Sequence, residues 1–313
     1  MLDDPHLTPL AGGWSGETFL ADAAGERSVV RIYARPGGRG EHAAEIDSAL
    51  LRLVRGLVPV PEVLEVRRAQ PAADLPAMLV TSYVAGERGD LVVPGLDGEG
   101  LGRLGGHLGR LAATLAGMPT LRPGTFRDGT LAVRPVDVDL GEWVEGHLAH
   151  LAHWSPEERT GLLEVAGTAQ DLLDTTGRTC LVHSDLNPKN LLVDPATLTV
   201  RALVDWEHAH SGHPHTDLGN LLRFERRPSW VEAAVGAYVD RLGGEPGRTL
   251  DLARSADVWA LVDLAARRGQ HPVADRAHDL LRAVAGARDV HAVPGTRWSQ
   301  PPAGHDGGHE LRR

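Results

Sequence analysis

The order of apolar and polar positions predicts a strand-rich first part and a mainly helical second part. Residues 10–33 follow the pattern of a β-hairpin, and residues 41–55 carry apolar side chains at helical spacing until Pro59-Val60-Pro61 ends the helix. The apolar run 78–84 predicts another strand. Strands with one helix, followed by a run of helices, indicate the α+β class.

The second part shows three helical patterns, three short β-like runs and then helices to about residue 288. The helical patterns span about 99–117, 138–151 and 156–175, and the β-like runs are 180–182, 190–193 and 202–205. From these patterns we predict an N-terminal lobe at 1–86, an interlobe junction at the Gly- and Asp-rich 87–98, a C-terminal lobe at 99–290 and a disordered tail at 291–313.

The composition and net charge of the chain indicate which kinds of molecule it is expected to bind. The 313 residues are 42% hydrophobic and carry a formal net charge of −10. An acidic chain does not favour nucleic acid, because phosphate backbones attract basic patches, whereas a cationic small molecule fits. We find no apolar run of about 18 residues, no secretion signal and no indication of an obligate protein partner, so we expect a cytoplasmic protein without a membrane span. The single cysteine, Cys180, is predicted to lie in a buried strand.

The candidate chemistry lies in one short stretch. The chain has only one lysine, Lys189, and three asparagines, two of which flank that lysine at positions 187 and 190. His183-x-Asp185 followed by Asn190 has the spacing of a phosphoryl-transfer loop, in which the Asp is the base and the Asn holds a magnesium ion. Asp205 ends the next β-like run, where a second oxygen ligand for Mg²⁺ is expected.

These residues resemble the aminoglycoside phosphotransferase family, which includes kinases for macrolides and for capreomycin and viomycin. The resemblance rests on His183-Ser184-Asp185, Asn190-Leu191-Leu192-Val193 and Val204-Asp205-Trp206-Glu207, and it extends over roughly residues 8–285. It implies a two-lobed protein-kinase-like fold, with ATP (or alternatively GTP) and Mg²⁺ as cofactors.

The resemblance also implies roles for individual residues. Asp185 would accept or orient the hydroxyl proton, and Asn190 and Asp205 would bind Mg²⁺. His183 and Asp217 would support the catalytic loop. The residues that would contact the nucleotide through their backbones are Gly12, Gly13, Ser15 and Gly16 at the phosphates and Ser82 and Val84 at the base.

Some positions depart from a protein kinase. The third strand carries Arg31 where kinases have lysine, and we expect its partner to be Glu45, with Glu41 on the same helix face as the alternative. Lys189 is a candidate to reach the transferring phosphate, and a surface ion pair is the alternative. Asp217 follows Asp205 by only twelve residues, which leaves no room for a regulatory activation loop.

The leading hypothesis is an antibiotic-inactivating O-phosphotransferase acting on a polycationic drug, either an aminoglycoside or a capreomycin/viomycin-type peptide. The carboxylates expected to bind the amines are Glu207, Glu225, Asp257 and Asp263, with helix-surface charge as the alternative for the last three. Two other functions stay open, a metabolic small-molecule kinase and a non-catalytic nucleotide-binding regulatory module. The four histidines between His208 and His215 fit either a metal site or, more simply, solvated loop residues.

Overall fold

The computed structural model describes residues 6–10, 17–23, 25–34 and 38–295. Within them, the N-terminal lobe is an antiparallel five-stranded sheet in the order β1-β2-β3-β5-β4. The strands are β1 (His6–Pro9), β2 (Glu17–Ala23), β3 (Glu26–Tyr33), β4 (Val63–Arg67) and β5 (Ala77–Ser82). Helix α1 (Ala43–Val54) packs on β4 and β5 through a face that includes Ile46, Leu50 and Val54. The predicted hairpin is the β2–β3 pair.

The C-terminal lobe is built mainly from helices. They are α2 (Gly89–Val92), α3 (Gly98–Ala116), α4 (Leu140–His147), α5 (Pro156–Asp174), α6 (Thr216–Leu222), α7 (Pro228–Leu242), α8 (Pro246–Ala266) and α9 (Pro272–Ala287). Capping side chains fix several starts: Asp97 accepts a hydrogen bond from the Gly100 N–H, and Ser155 caps α5 with Glu158 in a reciprocal box. Helix starts are therefore encoded locally.

Short strands occur in the connections between these helices and before the first of them. They are β6 (Glu87–Arg88), β7 (Pro119–Thr120), β8 (Gly124–Phe126), β9 (Val133–Pro135), β10 (Thr179–Val182), β11 (Leu191–Asp194), β12 (Thr199–Leu203) and β13 (His210–Gly212). They form a β7-β10-β13-β8-β9 sheet and a β12-β11-β6 sheet. Because β10 belongs to one sheet and β11 to the other, residues 183–190 form the connection between two sheets.

Two large hydrophobic clusters and a small third one, formed by Leu173, Leu252 and Ala256, occur among the described residues. One is continuous with the N-terminal lobe and contains α1, α3, α6, α7 and the strands that flank residues 183–190. The other lies among α4, α5, α8 and α9 around Leu140, Trp154 and Leu281. Helix α8 therefore joins a separate helical layer to the elements that carry the candidate site.

The predicted α+β class with a kinase-like arrangement is confirmed. The predicted helices agree with α3, α5 and α4, although α4 ends at His147 and continues as a 3-10 turn over Leu148–Leu151. Sequence patterns missed the shortest strands, among them β7 and β13, which are too brief to show a period. Cys180 is buried in β10, as expected. The predicted tail lies outside the described residues from position 296 onward, and no helix in the described part is long and apolar enough to span a bilayer.

The contact between α3 and α7 generates a stability prediction. A Cβ at Gly109 would lie 2.1 Å from the Ala234 carbonyl oxygen, whereas a Cβ at Gly106 on the same helix meets nothing closer than 3.8 Å. We expect Gly109→Ala to lower the free energy of unfolding by about 1–3 kcal/mol, because the two helices must separate. Gly106→Ala is the matched control and should be neutral or stabilising by up to about 1 kcal/mol. Urea unfolding of both variants measures the difference, and equal stabilities would contradict the packing argument.

Candidate active site

The catalytic loop runs from the end of β10 to the start of β11 and holds the Asp185 carboxylate in a fixed orientation. The Asn187 side-chain amide donates to Asp185 Oδ1 at 2.6 Å, and the Asn190 amide donates to Oδ2 at 2.7 Å. A 3-10 turn over Pro188–Asn190 places both amides on the same carboxylate. Each carboxylate oxygen therefore has one fixed donor and keeps lone-pair capacity for a substrate hydroxyl.

His183 ties this loop to the next one. Its Nε2–H donates to the Val204 carbonyl at 3.1 Å, and its Nδ1 accepts the Asp185 N–H at 3.3 Å. The ring is fully buried and packs edge-on against Trp206. Burial lowers the pKa of His183 to about 4, so the ring is neutral at pH 7 and serves as one donor and one acceptor. It thereby links the backbone of Asp185 to the residue before Asp205.

Asp217, in the first turn of α6, holds the beginning of the loop. Its carboxylate accepts the N–H groups of His183 at 2.9 Å and Ser184 at 2.8 Å. Ser184 has a φ of 66°, a left-handed conformation that is unfavourable for a non-glycine residue. Burial raises the pKa of Asp217 to about 6, while the two N–H donors oppose that shift. The carboxylate is ionised at neutral pH, where it accepts both bonds.

Asp205 is also in the left-handed region, with a φ of 66°, and it precedes a 3-10 turn over Trp206–His208. Arg31 of β3 donates to Asp205 Oδ1 at 2.8 Å and to Glu207 Oε2 at 2.6 Å. Burial would lower the pKa of Arg31, but Asp205 and the other acids nearby raise it above its ordinary value. One guanidinium thus joins the N-terminal sheet to two carboxylates of the C-terminal lobe.

The oxygen atoms of Asn190 and Asp205 suit a hard divalent cation. Asn190 uses its amide nitrogen for Asp185, so its side-chain oxygen is not consumed by that pair. Asp205 offers its second oxygen, Oδ2, besides the one that Arg31 engages. Carboxylate and amide oxygens are ligands that Mg²⁺ accepts while keeping waters and phosphate oxygens in its shell. The donor set is therefore compatible with magnesium.

The predicted Arg31–Glu45 pair is corrected. Glu45 pairs with Arg68 at 2.7 Å and with His42 at 3.1 Å. The buried carboxylate of α1 is Asp47, which lies closer to the lobe interface.

A network around Asp47 was missed in the sequence. Asp47 accepts the Tyr33 hydroxyl at 2.6 Å and pairs with Arg39, whose guanidinium also contacts the Ala209 carbonyl. The available signal was position: Asp47 is followed at helical spacing by Leu50 and Leu51, on the buried face of α1. A carboxylate on such a face requires partners, and here they connect α1 to the segment after Asp205.

The remaining predicted nucleotide contacts are only partly described. The Ser82 N–H is engaged by the Glu62 carbonyl at 2.8 Å, and the Ser82 hydroxyl accepts the Glu62 N–H. Within the described residues the Val84 N–H has no backbone partner, and its contact with a nucleotide base stays a prediction. Lys189 is half-buried beside Asn190, and its ammonium has no ion-pair partner in the described part of the chain. Gly12, Gly13, Ser15 and Gly16 lie outside the described residues.

The model of the phosphotransferase enzyme family (APH) matches residues 6–252, most of the chain. The chain belongs to this family. The predicted enzyme class, a phosphotransferase, is therefore confirmed.

Solved structures share the fold of this phosphotransferase. A GDP complex of an aminoglycoside 2'-phosphotransferase IIIa variant has a TM-score of 0.66 and 16% identity, covering 92% of this chain and 95% of that one. A ternary complex of APH(4)-Ia with ADP and hygromycin B has a TM-score of 0.60 and 17% identity, with 94% and 96% covered. A microcompartment-associated aminopropanol kinase has a TM-score of 0.62 and 20% identity, with 91% of each chain covered.

Two curated relatives match over a short segment. Acyl-CoA dehydrogenase family member 11 of Mus musculus is 40% identical over 55 residues, and that of Rattus norvegicus is 38% identical over the same length. Each match covers 18% of this phosphotransferase and 7% of the relative. So small a share identifies no activity.

The four carboxylates predicted to bind substrate amines are engaged by arginines of the phosphotransferase itself. Asp257 is buried, and its oxygens accept hydrogen bonds from Arg223 and Asn220 at 2.6–3.1 Å, so it is a core residue. Glu225 pairs with Arg227 at 2.7 Å, Asp263 pairs with Arg267, and Glu207 faces Arg31. Burial, followed by the charge of Asp205, raises the pKa of Glu207. The burial of Asp257 argues against its role as a substrate ligand, whereas the roles of Glu207, Glu225 and Asp263 stay predictions.

The histidine segment also differs from expectation. His210 begins β13, and the rings of His213 and His215 lie 5.3 Å apart, largely buried, with His215 against Tyr238. Burial lowers the pKa of His213 to about 4 and that of His215 to about 3, so both are neutral. No group of three or more His, Cys, Asp or Glu side chains in the described residues is arranged to hold a metal ion. These two rings belong to the packing beneath the site rather than to a solvated loop.

The buried His215 predicts acid lability. Its pKa is lower in the folded than in the unfolded state, so unfolding takes up a proton, and stability falls as the pH drops from about 6.5 towards 3. We expect His215→Phe to reduce the slope of unfolding free energy against pH by about 1.4 kcal/mol per unit in this range. Urea unfolding at several pH values gives the slopes. His208→Phe, at an exposed ring, should keep the wild-type slope, and a wild-type slope in His215→Phe would refute the assignment.

Proposed function

We propose that this phosphotransferase moves the γ-phosphate of ATP, or alternatively GTP, onto a hydroxyl of an amine-bearing small molecule. The observation that carries the proposal is the Asp185 carboxylate, held by the amides of Asn187 and Asn190. Asp205 is joined to this loop through Val204, whose N–H donates to the Asn190 carbonyl at 2.9 Å. A fixed base next to a magnesium-type donor set is what phosphoryl transfer requires. The presence of Asp185, Asn190 and Asp205 together argues against a regulatory module without turnover.

In this proposal each residue has a distinct role. The substrate hydroxyl donates to Asp185, and its proton passes to the carboxylate as the hydroxyl oxygen attacks the γ-phosphorus and the bond to the leaving phosphate oxygen breaks. Asn190 and Asp205 would hold Mg²⁺, which neutralises phosphate charge when bound. Lys189 is available to a phosphate oxygen, because its ammonium has no ion-pair partner in the described residues. Arg31 lies at the same site, on Asp205 and Glu207.

A polycationic drug is the leading substrate. The exposed segment that leads into and through α4 carries Asp137, Asp139, Glu142 and Glu145 without a lysine or arginine between them. Helix α4 packs on α8 through Trp143, whose indole N–H donates to the Trp259 carbonyl. Carboxylates without arginine partners attract cations over a Debye length of about 8 Å at physiological salt. A ternary complex of the structural neighbour APH(4)-Ia contains hygromycin B, an example of this substrate class.

A second candidate is a metabolic kinase for an amino alcohol. It is favoured by the similar fold of an aminopropanol kinase, whose TM-score of 0.62 lies between those of the two aminoglycoside phosphotransferase complexes. A substrate with one amine requires fewer carboxylates than a polycationic drug, so the two candidates differ in how strongly salt weakens binding.

The assignment of the base predicts a separation of binding from turnover. We expect Asp185→Ala to lower kcat by about 10²–10⁴, the usual range for general acid–base groups, with ATP affinity retained. Steady-state kinetics and calorimetric ATP titration measure the two quantities. Asp171→Ala, at an exposed position of α5, is the control and should behave as wild type. Turnover near the wild-type rate in Asp185→Ala would remove Asp185 from the mechanism.

The substrate class predicts a salt effect on KM. With an aminoglycoside or a capreomycin-type peptide, we expect KM to rise several-fold on added salt while kcat changes less, because screening removes uniform binding. Glu145→Gln should raise KM and flatten this salt dependence, whereas Glu232→Gln on α7 should do neither. Turnover only on a mono-amino alcohol would select the second candidate, and turnover only on a macrolide or neutral sugar would reject both.

A further inference from the structure

A small cavity lies between α6, α8 and α9, behind the helix that carries Asp217. Its volume is about 10 Å³, which is room for roughly one water-sized occupant. The polar residues that line it are Arg223, Arg226, Arg254 and Asp257, among apolar side chains such as Leu261 and Val284. Three guanidinium groups therefore share a site with one carboxylate.

That carboxylate is already used. Arg223 binds Asp257 with three hydrogen bonds of 2.6–3.1 Å, and Asn220 donates to the same carboxylate at 3.0 Å. Arg226 uses its Nε for the Arg223 carbonyl at 3.0 Å. Asp257 is the one carboxylate among the residues that line the cavity, so the three guanidinium charges of Arg223, Arg226 and Arg254 outnumber it.

Arg254 has more unpartnered buried nitrogen atoms than Arg223 or Arg226. It is only 9% exposed, and its Nε and Nη1 have no hydrogen-bond partner in the described part of the chain. Nη1 of Arg226 is likewise buried and has no hydrogen-bond partner in the described residues. Burial lowers the pKa of Arg254 to about 10, although the charges of Asp257 and Asp289 oppose the shift. Buried guanidinium N–H groups without acceptors are costly, so an acceptor with negative charge would stabilise the fold.

We propose that this cavity is a binding site for a small monovalent anion of the chloride class, held by Arg254 and Arg226. The charges and the donors favour an anion, since Arg226 and Arg254 both line the cavity and together carry three buried nitrogens without a hydrogen-bond partner in the described residues. Size selects a monatomic one, because a cavity of this volume does not admit a tetrahedral phosphate or sulfate. Phosphoryl transfer does not involve this site.

The bound anion would stabilise the support of the catalytic loop. Asp257 of α8 is joined to Asn220 and Arg223 at α6, and the same α6 presents Asp217 to the loop. An occupant that ties Arg254 of α8 to Arg226, beyond α6, adds a link between these elements. Chloride should therefore raise the stability of the whole protein, independently of any substrate.

Thermal unfolding of the full chain in sodium chloride, sodium gluconate and sodium sulfate of equal ionic strength tests the site. Because sulfate stabilises proteins in general, the quantity compared is the Tm of the wild type minus that of Arg254→Met in the same salt, and we expect this difference to be about 2–4 °C larger in chloride than in gluconate or sulfate. Arg254→Met should lose this chloride-specific increase, and in gluconate its Tm should equal or exceed that of the wild type, because an unpartnered buried charge is gone. Arg241→Met, an exposed arginine in the last turn of α7, is the matched control and should respond as wild type.

Several results would overturn the proposal. The first is a Tm difference between the wild type and Arg254→Met that is equal in chloride and gluconate. The second is a Tm difference that is as large in sulfate as in chloride. If Arg254→Met does not fold, Arg226→Met replaces it with the same expected loss of response. Crystals grown in sodium bromide supply an independent readout, with an anomalous peak expected between Arg226 and Arg254 and the absence of a peak counting against the site.

Discussion

The hydrogen bonds from the backbone of His183 and Ser184 to the buried carboxylate of Asp217 are the constraint on which the site depends. They hold Ser184 in a left-handed conformation that it would not adopt alone. From that turn, His183 reaches Val204, and Asp185 reaches the amides of the 3-10 turn. The proposed base and the two proposed metal ligands thus owe their positions to hydrogen bonds made by His183 and Asp217, and the buried carboxylate of Asp217 supports the loop that carries the half-buried Asp185.

Arginine performs the second linkage, between the lobes. The chain has a single lysine, and Arg31 contacts two different carboxylates, Asp205 and Glu207, through two N–H donors. A lysine on the same strand would bind both carboxylates less well, because its ammonium group lacks the planar fork of a guanidinium. Arg39 repeats the arrangement by contacting Asp47 and the Ala209 carbonyl. Both arginines bring the N-terminal lobe to the segment that follows Asp205. The lobe interface and the proposed metal site are therefore electrostatically coupled.

The sequence predicted the elements whose signals are local and failed where partners are distant. Helices α3 and α5 show the 3.6-residue period and capping residues, and the spacing from His183 to Asn190 is a property of one loop. The partner of Arg31 lies 174 residues away, and no period or spacing encodes it. Glu45 was chosen by analogy with a helix carboxylate, whereas Asp47 occupies the buried face of α1. The apolar pattern of α1 predicts that the face carrying Asp47 is buried, but it does not predict that Tyr33 and Arg39 are the partners of Asp47.

The four carboxylates expected to bind substrate amines all have arginine partners, and this pairing has a general cause. In this arginine-rich chain, carboxylates form ion pairs with arginines that are close in sequence. Glu225 pairs with Arg227, and Asp263 pairs with Arg267, so an arginine of the protein itself already balances each of these charges. A net charge of −10 therefore says nothing about which acids remain for a ligand. The segment from Asp137 to Glu145 differs because it contains no basic side chain that would neutralise it. In the proposed function a cation is recognised by such acids, of which Asp139 and Glu142 also accept backbone hydrogen bonds in the capping box of α4. The absence of a nearby arginine in the sequence, rather than proximity to the catalytic motif, points to them.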